Sequence, residues 1–386
     1  MSRKVGFIYS QAYEEYSFGP EHPFNSKRLA LTLDLLRKSG ILHKEDLFEP
    51  KAAGRQDLLL AHSSGYIDTV ERLSATGTEI DLEHGLGSED TPVFPHMHEA
   101  SSLVLGGTLL AAKLVMEGKL EHALNLGGGL HHAMRDKASG FCIYNDAVAA
   151  ISYLKERYHA RVAYIDIDAH HGDGVQTAFY SDSNVLTISV HETGRYLFPG
   201  TGFEEERGIG EGYGYSANIP LDAFTEDDSW IKSFGAVVPA LVESFRPDII
   251  ITQNGCDGHI LDPLTHLCCT TRSYDVAFRL LHKLAHRLCG GRLVALGGGG
   301  YDWYRVVPRV WALLWSELSG RELPEEIPPD WRAEWEQEAR VTLPEQFLDN
   351  PYMFEPVPRR AEIEDKNDRT VRRVLSGAVF HLNKFV

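Results

Sequence analysis

The stretch AYIDIDAHHGDGV, residues 163–175, decides the fold and points to the chemistry. It opens as a strand and then gathers Asp166, Asp168, His170, His171 and Asp173 into one short segment. Along an extended strand Asp166, Asp168 and His170 leave on one face, while Ile165, Ile167 and Ala169 leave on the other. Burying unpaired charge costs on the order of several kcal/mol, so something must compensate these carboxylates. A bound cation is the obvious compensator. An Asp-rich turn held by local hydrogen bonds is the plainer alternative.

Working outward, apolar β-rich runs recur at 5–9, 122–126, 161–167, 184–190, 215–221, 248–252 and 292–296. Segments 98–117, 142–158, 228–245 and 272–288 carry apolar residues at three- and four-residue spacing, which predicts helices. Such alternation, with strands buried on both faces, predicts an α/β fold: a single domain with a central, mostly parallel sheet flanked by helices. No Gly/Ser linker or internal repeat interrupts 1–320. Beyond Gly320, ELPEEIPPDW and FEPVPRRAEIEDKN suggest Pro-punctuated extended segments and helices wrapping the outside, with oligomer contacts one role left open.

The 386 residues carry a formal charge of −17, which argues against non-specific binding to nucleic acid or an anionic membrane. Five cysteines (142, 256, 268, 269 and 289) form no CxxC and cannot all pair. Neither a disulfide framework nor a structural Cys-zinc site is expected, and a reducing compartment fits. The start, MSRKVGFIYSQAYEE, turns polar after one short apolar run, and about eighteen apolar residues never run together. A cytoplasmic protein is expected.

In an open parallel sheet, ligands bind where loops leave the carboxyl ends of the strands. Four runs put a polar payload there: HALNLGGGLHHA (122–133), RVAYIDIDAHHGD (161–173), DIIITQNGCDGHILDP (248–263) and RLVALGGGGYDW (292–303). Their convergence would bring His131, His132, Asp166, Asp168, His170, Asp173, Asp262 and Tyr301 together. His and carboxylate ligands suit a catalytic zinc with an open position, and iron(II) or another divalent ion suits the same set. Asp168 and His170 form the natural first pair. Asp262, ahead of Pro263, is expected as the third ligand, with Asp257 its competitor. His131 and His132 beside a metal suggest proton transfer, with Asp166 and Asp173 available to orient them.

Gly127–Gly129 and Gly297–Gly300 complete neither G-x-G-x-x-G nor a Walker motif, so they are read as close-approach glycines rather than phosphate cradles. His282 and His286 stand four apart on a helix, but Lys283 occupies the place where a metalloprotease motif needs glutamate, and the pair is read as structural. His96 and His98 are read as loop residues. Cys268 and Cys269 form a vicinal pair near the expected pocket, where oxidation could affect activity.

The strings GGGLHHAMRDKASGFCIYND, YIDIDAHHGDGVQTAFY, VHETGRYLFPGTG, LDPLTHL and LGGGGYDW resemble the motif series of zinc-dependent histone deacetylases and their bacterial relatives. The likeness runs in order through roughly residues 5–320. GPEHPFNSKRL and RRAEIEDKNDRTV resemble most the acetoin-utilisation deacetylases, the AcuC family. The resemblance implies an arginase/deacetylase-like fold, with 1–320 as the deacetylase domain and 321–386 a C-terminal extension packed on it. It assigns zinc to Asp168, His170 and Asp262, pairs His131 with Asp166, and makes His132, oriented by Asp173, the general base and then acid. Tyr301 would donate to the substrate carbonyl, Phe141 and Phe198 would wall the acyl-lysine tunnel, Gly140 would offer its carbonyl, and Asp90 would hold the substrate backbone at the rim. Potassium would sit near Asp166, Asp168, His170, Ser189 and Val190, and again near Phe179, Asp182, Val185 and Tyr215. Leu261 departs from the glycine usual before that aspartate, and Cys268-Cys269 from a rim position often held by Leu or Met.

The expected activity is hydrolysis of N-ε-acetyl-lysine in an acetylated protein or peptide, with acetyl-CoA synthetase a candidate substrate. Rivals are an acetylpolyamine or other small-molecule N-acetyl amidohydrolase, a two-manganese ureohydrolase like arginase, and a silent acetyl-lysine binder. Two metals per chain would favour the ureohydrolase, and binding without acetate release would favour the silent binder. Oligomeric state is not legible.

Overall fold

The computed structural model describes residues 4–350 and 352–382. Its strands are β1 (Val5–Ile8), β2 (Leu47–Phe48), β3 (His122–Asn125), β4 (Val162–Asp166), β5 (Val185–Glu192), β6 (Ser216–Leu221), β7 (Ile249–Gln253) and β8 (Leu293–Leu296). They form one sheet in the order β2-β1-β3-β8-β7-β4-β5-β6, and every pairing is parallel. All residues of β3 to β8 are buried, which explains why these strands read as nearly continuous apolar runs.

The order places the site. After β3 the chain skips two places before laying down β4, and β7 and β8 later fill the gap. The four strands with polar payloads are therefore neighbours. Asn125 pairs with Leu296, Leu296 with Gln253, and Gln253 with Asp166, so all four end level and their loops leave from one line.

Packed groups of helices cover this sheet. Met97–Met116 lies against Asp146–Tyr158 and Ser64–Thr76; Asp227–Phe245, Thr271–Cys289 and Val307–Ser319 pack in sequence, and Lys27–Lys38 joins the last of them. Met97–Met116 is long and apolar enough to cross a membrane, yet 67% of its most apolar window is buried inside this body. The helix expected over 142–158 starts at Asp146, because the Asn145 side chain accepts the Val148 N–H as an N-cap. Thr271–Cys289 is capped by Thr270 and ends at Gly290 with φ 62°, a left-handed turn that glycine adopts without steric cost.

The C-terminal part contributes two helices. Pro329–Ala339 lies on Lys27–Lys38, with the Trp331 indole N–H donating to the Leu31 carbonyl at 3.1 Å. Arg360–Leu382 lies on Asp227–Phe245 and β6, where buried Asn367 donates to Thr225 and Ser229 and accepts the Asp222 N–H.

Candidate active site

The loop after β3 is held from beneath by the start of helix Asp146–Tyr158. The buried Asp146 carboxylate accepts the N–H groups of Gly129 and Leu130 and the Thr108 hydroxyl, and the Asn145 amide donates to the carbonyls of His131 and Ala133. Gly129 at φ 91°, whose carbonyl accepts from Gln253, turns the chain so that the two histidines follow into the site. The His131 Nδ1–H donates to Asp166 at 2.8 Å and the His132 Nδ1–H to Asp173 at 2.7 Å, with the two rings 4.0 Å apart.

Beside them, potential ligand atoms of Asp168, His170 and Asp257 lie within 4.8 Å of one another, all three residues buried. His170 Nδ1 stands 2.8 Å from Asp257 Oδ2 and 3.2 Å from Asp168 Oδ1. Ligands 2.0–2.2 Å from a tetrahedral ion are spaced roughly 3.4 Å apart, so this spacing needs little adjustment. Backbone fixes the carboxylates: Gly299 donates to Asp168 at 2.6 Å and Ala169 to Asp257 at 2.8 Å. A Cβ on Gly255 would come 2.0 Å from Asp168 Oδ2, and one on Gly299 2.1 Å from Asp257 Oδ2. Only glycine lets the backbone come this close. Burial, and then the charge of Asp168, push Asp257 up to about 6. The donor set and its cradle fit a divalent ion.

Asp257, the competitor of Asp262 in the sequence, is part of this cluster. The Asp262 carboxylate accepts the backbone N–H groups of Tyr301 and Leu264, at 2.7 and 3.0 Å, and burial and then the charge of Asp257 hold it well above the usual carboxylate range, so it stands beside the same cluster. Asp257 reaches His170 because the chain after β7 stays beside the glycine run of β8, with Asn254 donating to Gly297 and Cys256 to Gly299.

Charge separates the two histidines. Burial pulls His131 down, but Asp166 and Asp168 lift it to about 9, so it is protonated at neutral pH. Burial, then the His131 cation, pull His132 down to about 4, leaving it neutral and able to accept a proton. The ring of Tyr301 meets His170 and Phe141 edge-on at 6.5 and 5.8 Å, while Phe198 meets His132 at 5.0 Å and His170 at 6.4 Å. Gly140, at φ 50°, passes so close that a Cβ would strike His132 and Phe198. Tyr16 fixes the Phe141 carbonyl through its hydroxyl at 2.8 Å. Asp90 is exposed at the edge beside His22, whose ring stands 4.7 Å from Phe141.

Of the residues expected around potassium, Ser189 pairs in register with Asp166, and Val190 follows it in β5. Phe179 accepts the Asp182 N–H, Val185 donates to Asp182, Tyr215 accepts the Thr187 N–H, and the Asp182 carboxylate is paired with Lys155. All five cysteines are free; Cys269 is buried and Cys268 partly so. One residue near the site escaped the sequence reading. Arg28 is buried, donates to the Gly300 carbonyl at 3.1 Å, and has its guanidinium over Phe24 and Trp311. Its signal was an arginine directly ahead of the apolar run LALTL in helix Lys27–Lys38.

A parallel α/β body with this constellation at the ends of its central strands defines a hydrolase of the arginase/deacetylase type. A model of the histone deacetylase domain matches residues 22–318, and the chain belongs to the histone deacetylase family. It is AcuC-like: the acetoin utilization protein AcuC of Bacillus subtilis is 52% identical over 372 residues, 96% of each chain. AcuC of Staphylococcus xylosus is 40% identical over 97% of this chain and 98% of its own. Among solved structures, an HDAC homolog complexed with SAHA superposes with a TM-score of 0.84 at 30% identity, covering 95% of this chain and all of its own. An HDAC homolog from Aquifex aeolicus gives 0.83 at 29% over the same shares.

Proposed function

We propose that the protein is a metal-dependent lysine deacetylase that hydrolyses N-ε-acetyl-lysine to lysine and acetate, with zinc its ion and iron(II) the alternative. The observation that carries this reading is the meeting of Asp168, His170 and Asp257, with Asp262 beside them, and the His132–Asp173 pair, where Phe198 stands against His132 and Phe141 against Tyr301. A divalent ion held by Asp168, His170 and Asp262, with Asp257 beside them, would supply Lewis acidity toward a carbonyl oxygen and toward water.

The chain's own groups supply the rest. Asp173 holds His132 Nδ1–H and leaves Nε2 to take a proton from the attacking water and return it to the departing amine. Asp166 holds His131 as a cation, which keeps its neighbour neutral at the start. The Tyr301 hydroxyl donates to the carbonyl oxygen as negative charge develops there. Phe141 and Phe198 flank the apolar stem of acetyl-lysine and exclude bulk water, Gly140 offers its carbonyl, and Asp90 holds the substrate backbone at the rim.

Potassium at the two expected sites would add cationic support beside Asp166 and Asp168. Residues 1–320 serve as the catalytic unit, with 321–386 an extension packed on it. By its likeness to AcuC, acetylated acetyl-CoA synthetase is the protein substrate to try first. The free thiols and acidic composition suit a cytoplasmic setting. Acetate release from acetyl-lysine peptides and from acetylpolyamines, by apo protein reconstituted with Zn²⁺ or Fe²⁺, tests the reading. Metal-dependent turnover of the peptides is expected; turnover of acetylpolyamines alone, or none with either ion, overturns it.

A further inference from the structure

At the opposite end of β3 from the active site, three imidazoles converge. His122 is the first residue of the strand, and His282 and His286 face it from helix Thr271–Cys289. The sequence offered His282 and His286 only as a helical pair; the fold adds His122. His282 Nε2 lies 3.1 Å from His122 Nε2 and 2.9 Å from His286 Nε2, and potential ligand nitrogens of all three lie within 4.8 Å of one another. Ring centroids are 4.7–5.0 Å apart, with each pair edge-on rather than stacked.

Protons make this arrangement hard to explain as a simple hydrogen-bonded cluster. Glu317, on helix Val307–Ser319, lies 2.5 Å from His282 Nδ1, which is therefore the protonated nitrogen of that ring. His282 Nε2 then holds one lone pair, yet two other Nε2 atoms stand at hydrogen-bond distance from it. One lone pair serves one good hydrogen bond. Three lone pairs aimed at a common ion satisfy every short contact, and a carboxylate behind a ligating imidazole is the usual second partner in histidine metal sites. Gly291, at φ 86°, clears space beside the rings: a Cβ there would come 3.1 Å from His286 and 3.7 Å from His122.

We propose that the Nε2 atoms of His122, His282 and His286 form a second metal site, for a divalent transition ion of the zinc class, with Glu317 orienting His282. Imidazole donors select zinc, copper or nickel over calcium or magnesium. His122 is buried, whereas His286 is exposed toward a hollow of about 530 Å³ lined by Arg279, Lys283, Arg287 and Glu317. Water or a small anion completes the coordination from that side. Asp275 pairs with Arg279 and Glu243 with Arg287, so the basic rim is largely offset. The ion ties β3 to helix Thr271–Cys289, and through Glu317 to helix Val307–Ser319, and acts as a staple remote from the catalytic cluster, separated from it by the length of β3, about 10 Å of strand.

The test uses untagged, full-length enzyme with its active-site metal loaded, dialysed against buffered free Zn²⁺ near 1 μM. Wild type is expected to hold one zinc equivalent more than His286→Gln, and Glu317→Gln is expected to bind that equivalent 10–100-fold more weakly. Zn²⁺ should raise the melting temperature of wild type but not of His286→Gln, while deacetylase activity stays equal in both and reports that the variant is folded. Co²⁺ in the second site should give visible d–d absorption that disappears in His286→Gln. Equal zinc content and equal melting shifts in wild type and His286→Gln would overturn the proposal, as would a Co²⁺ spectrum unchanged by the substitution.

Discussion

Gly299 donates its backbone N–H to Asp168 at 2.6 Å, so the glycine run after β8 grips a carboxylate that follows β4, two strands away. The contact demands a bare backbone, because a Cβ on Gly299 would fall 2.1 Å from Asp257 Oδ2 and 2.9 Å from Asp168 Oδ2. Gly299→Ala must therefore push apart two carboxylates of the metal cluster. Its expected outcome is loss of bound metal and at least a hundredfold loss of activity, with the protein still folded. Metal analysis on dialysed samples, beside circular dichroism, checks this; full metal content with normal turnover would contradict it.

Asp257 and Asp262 make separable claims. Asp257→Asn removes the carboxylate that faces His170 Nδ1 and, acting through that ligand, should lower metal affinity about 10–100-fold. Asp262→Asn removes the charge of the proposed third ligand and should lower metal affinity further, while weakening acceptance of two backbone N–H groups, a change on the order of 1–3 kcal/mol in stability. Competition with a chelator of known affinity ranks the two variants. Should Asp257→Asn release metal more readily than Asp262→Asn, Asp257 rather than Asp262 is the third ligand.

That pair also shows where sequence stops. The seven longer strands were legible because burial on both faces makes each an apolar run, and the four polar loops were legible because charge so close to a strand has few uses. β2 was missed because two residues carry no period. Helix Val307–Ser319 was missed because eleven of its thirteen residues are buried, which leaves little polar face to mark a helical repeat. The approach of Asp257 to His170 turned on backbone hydrogen bonds between β7 and β8 extensions, and no local pattern records those. His122 gave no hint of its partners either, since they lie 160 and more positions away.

Asp173→Asn keeps the size of the side chain that faces His132 Nδ1 but removes the charge that favours its N–H tautomer and stabilises the imidazolium formed on proton transfer. A 10²–10⁴-fold fall in kcat with KM little changed is the expected result. Steady-state kinetics on an acetyl-lysine peptide decides it. A loss carried mainly by KM would instead make the pair a substrate-positioning element.

Tyr301→Phe leaves the ring against Phe141 and His170 and deletes only the hydroxyl. If that hydroxyl stabilises the developing oxyanion, kcat should drop by about 10²–10³ while metal content and melting temperature hold. A loss under tenfold would remove Tyr301 from the catalytic step and leave it as a wall.

His62 ties acid stability to the same loop. It is buried, accepts the Asn145 N–H at 2.9 Å and donates to the Arg135 carbonyl at 3.3 Å, and Asn145 in turn holds the His131 and Ala133 carbonyls. Burial pulls its pKa from the ordinary 6.5 down to about 4. Between those values the unfolded chain binds the proton and the folded one does not, so His62 lowers stability as pH falls through that window and costs nothing above it. At pH 4.5 the penalty is roughly 2–3 kcal/mol. His62→Gln keeps an acceptor toward Asn145 and cannot be protonated. Urea unfolding at pH 7 should find the variant less stable than wild type, and at pH 4.5 the gap should close by about that amount. Parallel stability curves for the two proteins across this range would show that His62 is not the residue that senses acid.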